Sequence, residues 1–549
     1  MTPHRLWSGQ AWAGRFPALV ALLTSLALAA DPPPPAIDPG SLVNGASRMP
    51  SSLAGGGIAQ GGRFSLSGVR LGPPRGVQGS EADPPVALGG VSVHLAQGQT
   101  DISAPLLLVS AGRIEGLIPP TALLGPTRLT VVYDGRASEP YPLILVESSF
   151  GFFTTGNAPA GLPDARQPIS TSPGETVALF GAGLGPARPE IFVGGKPAGN
   201  PRSTGEAACC KGVDRIEFQI PANAPHGCYV PIQARAAGRP SNVVGIAIHP
   251  AGQPCHDQID WFHDSVLHAA RAGFVALVRI SLGAQTSGGS DAGYQFDYAV
   301  ASFGKQQSGQ RPFPPLPPFG SCTLGTQRID LRQVYGEARH PSAWSGILEP
   351  TPGNLALDAG PSISVAGAAG TKVLRRATGK RDVYDALLGG AVPFTQVRRT
   401  PLYLQPGAYI LTSAGGQDIG PFTAQVQAHP VIEWRNRERL AEVRRSAGVT
   451  VEWKEASRKD AVIVAAVSSD HFSGDSAVCV CLAHAKDGRF TIPPISLGNL
   501  PPTGGDDPEP SFLLLAEIPL EPPVRIQAQG LDAAFATFFS ANARLVKFQ

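Results

Sequence analysis

The sequence predicts an all-β protein, with tandem β-sandwiches followed by a larger β-rich C-terminal half. Gly (65) and Pro (55) are abundant among the 549 residues, and both residue types break helices and mark turns. Between these turns the chain carries short apolar runs with alternating polarity, which is the pattern of half-buried strands. A chain of this length exceeds what one hydrophobic core organises, so several domains are expected.

Bulk composition excludes two classes of protein. Hydrophobic residues make up 42% of the chain and charged residues only 16%, whereas disordered chains show the opposite balance. The formal net charge is +2, and nucleic-acid binding domains carry a strongly basic face. The composition therefore favours a folded chain with no nucleic acid as partner.

The N-terminus predicts export. Arg5 and Arg15 precede and flank an apolar stretch over 16–30, and Ala27-Leu28-Ala29 provides small residues for cleavage, so residues 1–29 are predicted to be a signal peptide. No later apolar run reaches the ~18 residues of a membrane span. We expect an exported protein, extracellular, periplasmic or at the cell surface, with no membrane span after cleavage.

A Pro-rich linker is predicted to follow at 30–40. Residues 32–35 are four consecutive prolines, and such runs adopt a stiff, extended conformation. We expect this segment to hold the first domain away from the cleavage point.

The next two domains are predicted to be repeats, at 41–148 and 149–250. The strand-like stretch 58–73 matches 171–186, within the stretch 170–186, without a gap. The block 113–119 then matches 215–221, and 135–138 matches 238–241, in the same order. Three aligned blocks in one order predict two sandwiches of the same topology. The matched positions are Gly61 with Gly174, Phe64 with Val177, Leu66 with Leu179, Gly68 with Gly181, Leu71-Gly72-Pro73 with Leu184-Gly185-Pro186, Gly135-Arg136 with Gly238-Arg239, and Ser138 with Ser241.

The remaining chain is predicted to form a β-rich domain at 255–430 and a C-terminal β-rich domain at 431–549. One helix is predicted at 258–272, where Ile259, Phe262, Val266 and Leu267 trace an apolar face. The charge-rich segment 433–445 fits either a short helix or a solvated crossing. Strands are predicted at 64–69, 91–95, 106–109, 114–118, 129–133, 142–146, 274–281, 294–303, 357–365, 371–374, 402–404, 409–412, 422–428, 448–454, 461–467, 477–484, 489–492, 512–517 and 524–529.

Several motifs resemble a known group of proteins. The resemblance is carried by the block Pro173-Gly174-x-x-Val177-x-Leu179-Phe180-Gly181, by the segments 43–47, 191–198 and 209–221, and by Gly227-Cys228-Tyr229-Val230-Pro231. They resemble the immunoglobulin-like, IPT/TIG-related modules of uncharacterised secreted bacterial proteins, and 357–360, 404–409, 416–422, 432–434, 448–453 and 490–494 resemble the companion region of the same proteins. The resemblance implies an immunoglobulin-like sandwich of about 100 residues for 150–248 and no particular activity.

Seven cysteines are better interpreted as disulfide partners than as metal ligands in an exported chain. The candidate disulfide cysteines are Cys209, Cys210, Cys228, Cys255 and Cys322. One of the adjacent pair is expected to bond Cys228, and Cys255 to bond Cys322, although the sequence leaves the connectivity open. The remaining two, Cys479 and Cys481, share one face of a strand and are expected to be buried, or one of them bridged; a redox or metal role is the less favoured alternative.

Other candidate sites are weighed against plainer interpretations. A metal site at Cys255-His256-Asp257 with Asp260, His263, Asp264 and His268 lacks helical spacing, since His263 and His268 diverge on a helix. Glu433 and Glu452, beside Trp434 and Trp453, are the one carboxylate pair noticed for glycoside cleavage, but the tryptophans are expected to be core anchors first. The acidic loop 505–509 offers calcium ligands without EF-hand spacing, and no Gly-x-Ser-x-Gly elbow occurs.

The sequence therefore predicts an exported, non-enzymatic protein for extracellular or cell-surface binding, adhesion or scaffolding. No cofactor, no metal site and no catalytic residue is assigned, and glycan, cell-wall or protein ligands are the expected partners. The alternative is a secreted hydrolase acting on polysaccharide, with its chemistry within 255–549.

Overall fold

The structure is a computed structural model, and its β content confirms the all-β prediction. No helix in the described part of the chain has the length and hydropathy of a membrane span. The residues described are 33–155, 158–159, 169–207, 209–256, 259, 269–285, 291–305, 316–328, 355–377, 382–391, 398–454, 460–470, 473–503, 511–520 and 523–549. The predicted signal peptide at 1–29 lies outside them.

Module 1, residues 33–148, is a two-sheet sandwich. Its strands are β1 Ala36–Ile37, β2 Val43–Asn44, β3 Ile58–Ala59, β4 Arg63–Val69, β5 Val77–Gln78, β6 Ala87–Leu88, β7 Val91–Gln97, β8 Thr100–Ser103, β9 Leu106–Val109, β10 Arg113–Leu117, β11 Gly125–Tyr133, β12 Arg136–Ala137 and β13 Tyr141–Val146. One sheet has the order β1-β4-β10-β9-β5, with β2 also on β4, and the other β3-β13-β11-β7-β6, with β8 also on β7 and β12 on β11.

Module 2, residues 149–250, repeats this architecture. Its strands are β14 Gly151–Phe152, β15 Thr154–Thr155, β16 Ala158–Pro159, β17 Ser170–Thr171, β18 Thr176–Ala182, β19 Glu190–Val193, β20 Lys196–Pro197, β21 Gly199–Glu206, β22 Asp214–Gln219, β23 Gly227–Ala236 and β24 Arg239–Ile248. The two sheets have the orders β14-β18-β22-β21 and β17-β24-β23-β19-β20, and β15 pairs with β16.

The sequence repeat extends to strand register. Leu66 lies opposite Ile114 in module 1, and the matching Leu179 lies opposite Ile216 in module 2. Ser138 and Ser241 also play one role, because each buried hydroxyl accepts a backbone N–H of the preceding strand, at 3.0 and 2.8 Å. The aligned blocks therefore correspond to equivalent elements of two related sandwiches.

Residues 33–40 differ from the predicted spacer, because they belong to module 1. Ala36 and Ile37 pair with Val69 and Gly68 of β4, and the Gly40 backbone N–H donates to the Tyr141 hydroxyl at 3.0 Å. The stiffness of the prolines explains why this segment is extended, but it does not predict that the segment pairs with β4. The pairing is possible because Ala36 and Ile37, which follow the prolines, have backbone N–H groups.

The C-terminal unit, residues 255–549, is organised by one large sheet. Its strands are β25 Arg271–Gln285, β26 Asp291–Lys305, β27 Ser321–Arg328, β28 Leu355–Ala356, β29 Ser362–Gly367, β30 Gly370–Arg376, β31 Val383–Gly390, β32 Gly407–Ser413, β33 Phe422–Ala428, β34 Glu433–Trp434, β35 Glu442–Val443, β36 Val449–Lys454, β37 Ala461–Ser469, β38 Asp475–His484, β39 Arg489–Ile492, β40 Phe512–Ile518, β41 Val524–Arg525, β42 Ala533–Leu545 and β43 Lys547–Phe548. Short helical turns lie at Arg437–Arg439, Ala485–Asp487 and Pro494–Leu497.

This sheet has 14 strands and spans both predicted C-terminal domains. Its order is β27-β38-β37-β40-β42-β25-β26-β31-β30-β29-β32-β33, with β28 on β26 and β41 on β42; β34-β36-β39 and β35-β43 form two smaller sheets. Separate apolar clusters pack against its two ends. One is drawn mainly from 275–303 and 357–428, with further members at 526–538, and the other mainly from 432–515, with Cys322, Val546 and Phe548 and residues of module 1. The sheet and both clusters therefore combine residues from either side of the predicted boundary between 430 and 431.

The strand β42 was not predicted from the sequence, although it is the central strand of that sheet. It pairs in parallel with β25 along twelve residues, from Ala533 opposite Ala272 to Arg544 opposite Gly283. Both faces of β42 are covered, so its sequence lacks polar alternation, and its alanines have low strand propensity.

Other expectations in this region are corrected. Residues 402–404 are not a strand, because the Tyr403 and Leu404 N–H groups donate to the buried Asp297 carboxylate at 2.6 and 2.7 Å. The predicted helix at 258–272 lies mostly outside the described residues, and its last two residues begin β25. Segment 433–445 contains β34, one helical turn and β35.

A segment at 44–57, here the joining segment, connects the three units. Asn44 donates to the Ser149 and Ala182 carbonyls of module 2 at 2.9 and 3.2 Å. Met49 and Leu53 are buried in the apolar cluster of the C-terminal unit. The Asn499 side chain accepts from the Gly55 N–H at 3.0 Å and donates to the Ser241 carbonyl at 2.8 Å. These buried contacts hold the three units in one arrangement.

Candidate functional site

The disulfides differ from the expected pairing. The structure joins Cys209 to Cys210, Cys228 to Cys255, and Cys322 to Cys481. The expected bonds from the adjacent pair to Cys228, and from Cys255 to Cys322, were wrong. Strand pairing supplies the reason, because Cys322 on β27 lies directly opposite Cys481 on β38, a register that the sequence does not reveal.

Cys479 is the free cysteine among the seven. Its Sγ lies 3.8 Å from Cys481 Sγ on the same face of β38, and burial raises the pKa of the Cys479 thiol to about 12. The thiolate is the nucleophile and the metal ligand, so a protonated thiol is suited to packing. The sulfurs of Cys322, Cys479 and Cys481 lie within 4.8 Å of one another, but two of them are bonded to each other.

The candidate metal site at 255–268 gains no support from Cys255, its first residue. Cys255 is bonded to Cys228, so its sulfur is not available as a thiolate ligand. Residues 257–258 and 260–268 and the acidic loop 505–509 lie outside the described residues.

The two tryptophans are core anchors. Trp434 lies opposite Trp453, and both are buried. Their indole N–H groups donate to Asn436 Oδ1 at 3.0 Å and to the Ala485 carbonyl at 2.8 Å. Glu433 is exposed and Glu452 is partly exposed, so the aromatic rings point away from the carboxylates along alternating strands.

A surface with almost no charge lies at one end of the large sheet. It is formed by the outward side chains of β30, β29, β32 and β33, and we call it the polar face. The cross-strand registers place these side chains in rows. Its members are Thr371, Val373 and Arg375; Ser362, Ser364 and Ala366; Ala408, Ile410 and Thr412; and Thr423, Gln425 and Gln427.

One row shows the chemistry of the polar face. Val373, Ser364, Thr412 and Thr423 follow one another across four strands, which lie about 4.8 Å apart in a sheet. The neighbouring row centres on Ile410, which is 45% exposed. Arg375 is the one charged member of the face. The surface thus alternates hydroxyl and amide groups with small apolar patches.

The core fixes the shape of the polar face. The opposite sides of the same strands are buried, as in Phe422–Ala428, where buried and exposed residues alternate without exception. Tyr403 and Tyr409 lie beneath with their hydroxyls bonded to backbone carbonyls, Tyr403 to Val365 at 2.8 Å and Tyr409 to Gln405 at 3.0 Å. A face supported by satisfied, close-packed groups is preorganised.

A second group of interacting polar side chains lies on module 1, on the outward face of β7. Ser92 Oγ lies 3.0 Å from His94 Nε2, and His94 Nδ1 lies 3.3 Å from Asp101 Oδ2. Sequence reasoning did not single these residues out. The Ser-x-His alternation in a predicted strand was the available signal for two of them, whereas Asp101 required the β7–β8 hairpin register.

Comparisons with known proteins find no matching family model and no matching curated protein. Among solved structures, the chain is similar to SGBP-B from a xyloglucan utilization locus of Bacteroides uniformis, with 11% identity, 65% of this chain and 86% of that chain covered, and a TM-score of 0.17. A Bacteroides ovatus SGBP-B in complex with a mixed-linkage heptasaccharide has 10% identity, 84% and 96% coverage and a TM-score of 0.13. Titin Ig tandem domains A164-A165 have 9% identity, 35% and 92% coverage and a TM-score of 0.13. TM-scores of this size carry no functional inference.

Proposed function

We propose that this chain is an exported binding protein that holds a neutral polysaccharide on the polar face. The observation that carries the proposal is the composition of that face, where eleven of twelve outward side chains are uncharged. The predicted export signal and the three disulfides support a place outside the cytoplasm, because disulfides persist in oxidising compartments.

The chemistry of the polar face suits sugars. Ser, Thr and Gln side chains donate and accept hydrogen bonds, as sugar hydroxyls do. The exposed Ile410 and Val373 side chains offer apolar contact to the C–H faces of the rings. An anionic polymer would require basic partners, since charge complementarity sets specificity, and the face holds only Arg375.

The two modules serve as a scaffold in this proposal. Module 1 and module 2 are held against the C-terminal unit by the joining segment, through Asn44, Met49 and Asn499. The polar face is therefore carried on a fixed support, which lowers the entropic cost of binding.

The test is affinity electrophoresis of the purified full chain in gels that contain hydroxyethyl cellulose, soluble starch or polygalacturonate. We expect retardation by a neutral polymer and none by polygalacturonate. Ile410→Lys places a charge at the centre of the face and should weaken binding about tenfold or more, a loss of about 1.4 kcal/mol or more. Ile144→Lys, at an exposed site of module 1 (66% exposed), is the matched control. Equal retardation of wild type and Ile410→Lys, or no retardation by either neutral polymer, would overturn the proposal.

A further inference from the structure

The strand β7 of module 1 aligns a serine and a histidine. Val91, Val93 and Leu95 are buried, so the alternate residues Ser92 and His94 face outward together. Because their side chains share one face, Ser92 Oγ comes within 3.0 Å of His94 Nε2. This is the hydrogen-bond reach that a nucleophile and its general base require.

Asp101 completes the arrangement through the adjacent hairpin. On β8, Asp101 lies opposite Ala96, two residues beyond His94, and its Oδ2 lies 3.3 Å from His94 Nδ1. An ionised carboxylate only accepts hydrogen bonds, so the neutral imidazole must carry its proton on Nδ1. Nε2 is then the acceptor, and the Ser92 hydroxyl donates to it.

These three groups are ordered as nucleophile, base and orienting acid. The same order defines serine hydrolases of unrelated folds, which are recognised by geometry and not by sequence position. Val132 lies opposite Ser92 on the same face, so an apolar side chain is available beside a small acyl group.

We propose that Ser92, His94 and Asp101 form a serine-nucleophile site that hydrolyses esters of small acyl groups, such as acetyl esters. This activity goes beyond the binding role. The absence of a Gly-x-Ser-x-Gly elbow does not count against it, because side chains that are brought together by strand pairing leave no linear motif.

The reaction balances without a cofactor. Ser92 Oγ forms a bond to the ester carbonyl carbon while His94 Nε2 takes the hydroxyl proton. The ester C–O bond then breaks, and the alcohol leaves with that proton. Water attacks the acyl-serine by the same route, with His94 again as base, and releases the acid and free Ser92.

The expected rate is modest. The site lies on an open sheet surface, where the side chains of His94 and Asp101 are 32% and 62% exposed. The contribution to catalysis that these residues supply is general-base activation of Ser92 by His94. Such catalysis supplies about 10²–10⁴-fold. Activated esters are therefore the substrates with which to detect it.

The test is hydrolysis of p-nitrophenyl acetate by the full chain, together with labelling by diisopropyl fluorophosphate and peptide mass mapping. We expect Ser92→Ala to lose at least about 100-fold in kcat/KM and the label to fall on Ser92. Ser103→Ala is the control, because Ser103 lies opposite His94 across the strand pair without a bond to its ring. Wild-type hydrolysis by Ser92→Ala, or a label at another serine, would overturn the proposal.

Asp101 is a positioning residue, and its test separates orientation from folding. Asp101→Asn should lower kcat and leave KM unchanged, since the carboxylate does not touch substrate. A wild-type kcat in this variant overturns the assignment of Asp101. Retardation by neutral polysaccharide should persist in Ser92→Ala, so failure of this proposal and failure of the binding proposal give different results.

Discussion

The carboxyl group of Asp214 provides a pH-dependent test of module 2. It lies at the start of β22, opposite Gly181, and its Oδ2 accepts the Leu184 N–H at 2.9 Å. Burial, with a smaller contribution from the Glu206 charge, raises its pKa to about 6, although the bonds from Leu184 and Gly183 act in the other direction. The glycine turn that marks the repeat thus holds a carboxyl group away from water.

The sign of the effect follows from the raised pKa. The folded chain holds the proton more tightly than the unfolded chain, whose pKa is near 3.8. The stabilising contribution is full below that pH and is lost as the pH rises through about 6. At about 1.4 kcal/mol for each pH unit, the loss is about 3 kcal/mol, and partial exposure of Asp214 makes this an upper bound.

The perturbation is Asp214→Asn, which removes the titration. Urea unfolding of wild type and variant, followed by hydrogen exchange in module 2 peptides, gives the free energy of unfolding at several pH values. We expect the wild type to lose up to about 3 kcal/mol relative to the variant between about pH 4 and pH 7. Asp83→Asn, at an exposed position, should follow the wild-type profile. Parallel pH profiles for wild type and Asp214→Asn would refute the reasoning.

Three further predictions concern packing and covalent structure. Gly181→Ala places a methyl group 2.3 Å from the Phe150 ring and should destabilise module 2 by about 1–3 kcal/mol in urea, whereas Gly293→Ala meets no atom within 4 Å and should change little. Asn499→Ala leaves the Gly55 N–H and the Ser241 carbonyl without their hydrogen bonds and should lower the free energy of unfolding by about 1–3 kcal/mol, which is measured as faster hydrogen exchange at Gly55. Asn223→Ala, at an exposed position, is the control. Unchanged exchange at Gly55 in Asn499→Ala would contradict the role of Asn499 in holding the joining segment. Denatured, unreduced protein should show one thiol by Ellman titration, because Cys479 alone is unbonded, and a count of three or more contradicts the disulfides.

Local patterns predicted much of the fold. Residues 422–428 and 106–109 were predicted to be strands with the bounds that β33 and β9 have, because clear alternation or a short apolar run ended at turn residues. The repeat was visible for a similar reason, since Leu66 and Leu179 occupy equivalent registers. These features depend on neighbours in sequence.

Features that depend on distant pairing were not predictable. Cys322 and Cys481 are 159 residues apart and meet only because β27 lies beside β38. Asp297 holds the backbone of Tyr403 and Leu404, so a strand-like sequence becomes a coil. The polar face likewise joins strands whose order is set by the whole sheet, and Asp101 reaches His94 through a hairpin register.

The place of β42 has a consequence for how the chain matures. The last long strand lies between β25 and β40, so residues 533–545 must arrive before the middle of the sheet can close. Until then β25 and β40 present two unpaired apolar edges, which are templates for association between chains. A polypeptide that stops before residue 533 should therefore aggregate rather than persist as a shorter folded form, and transport of the chain in an unfolded state would keep those edges apart until its end has emerged.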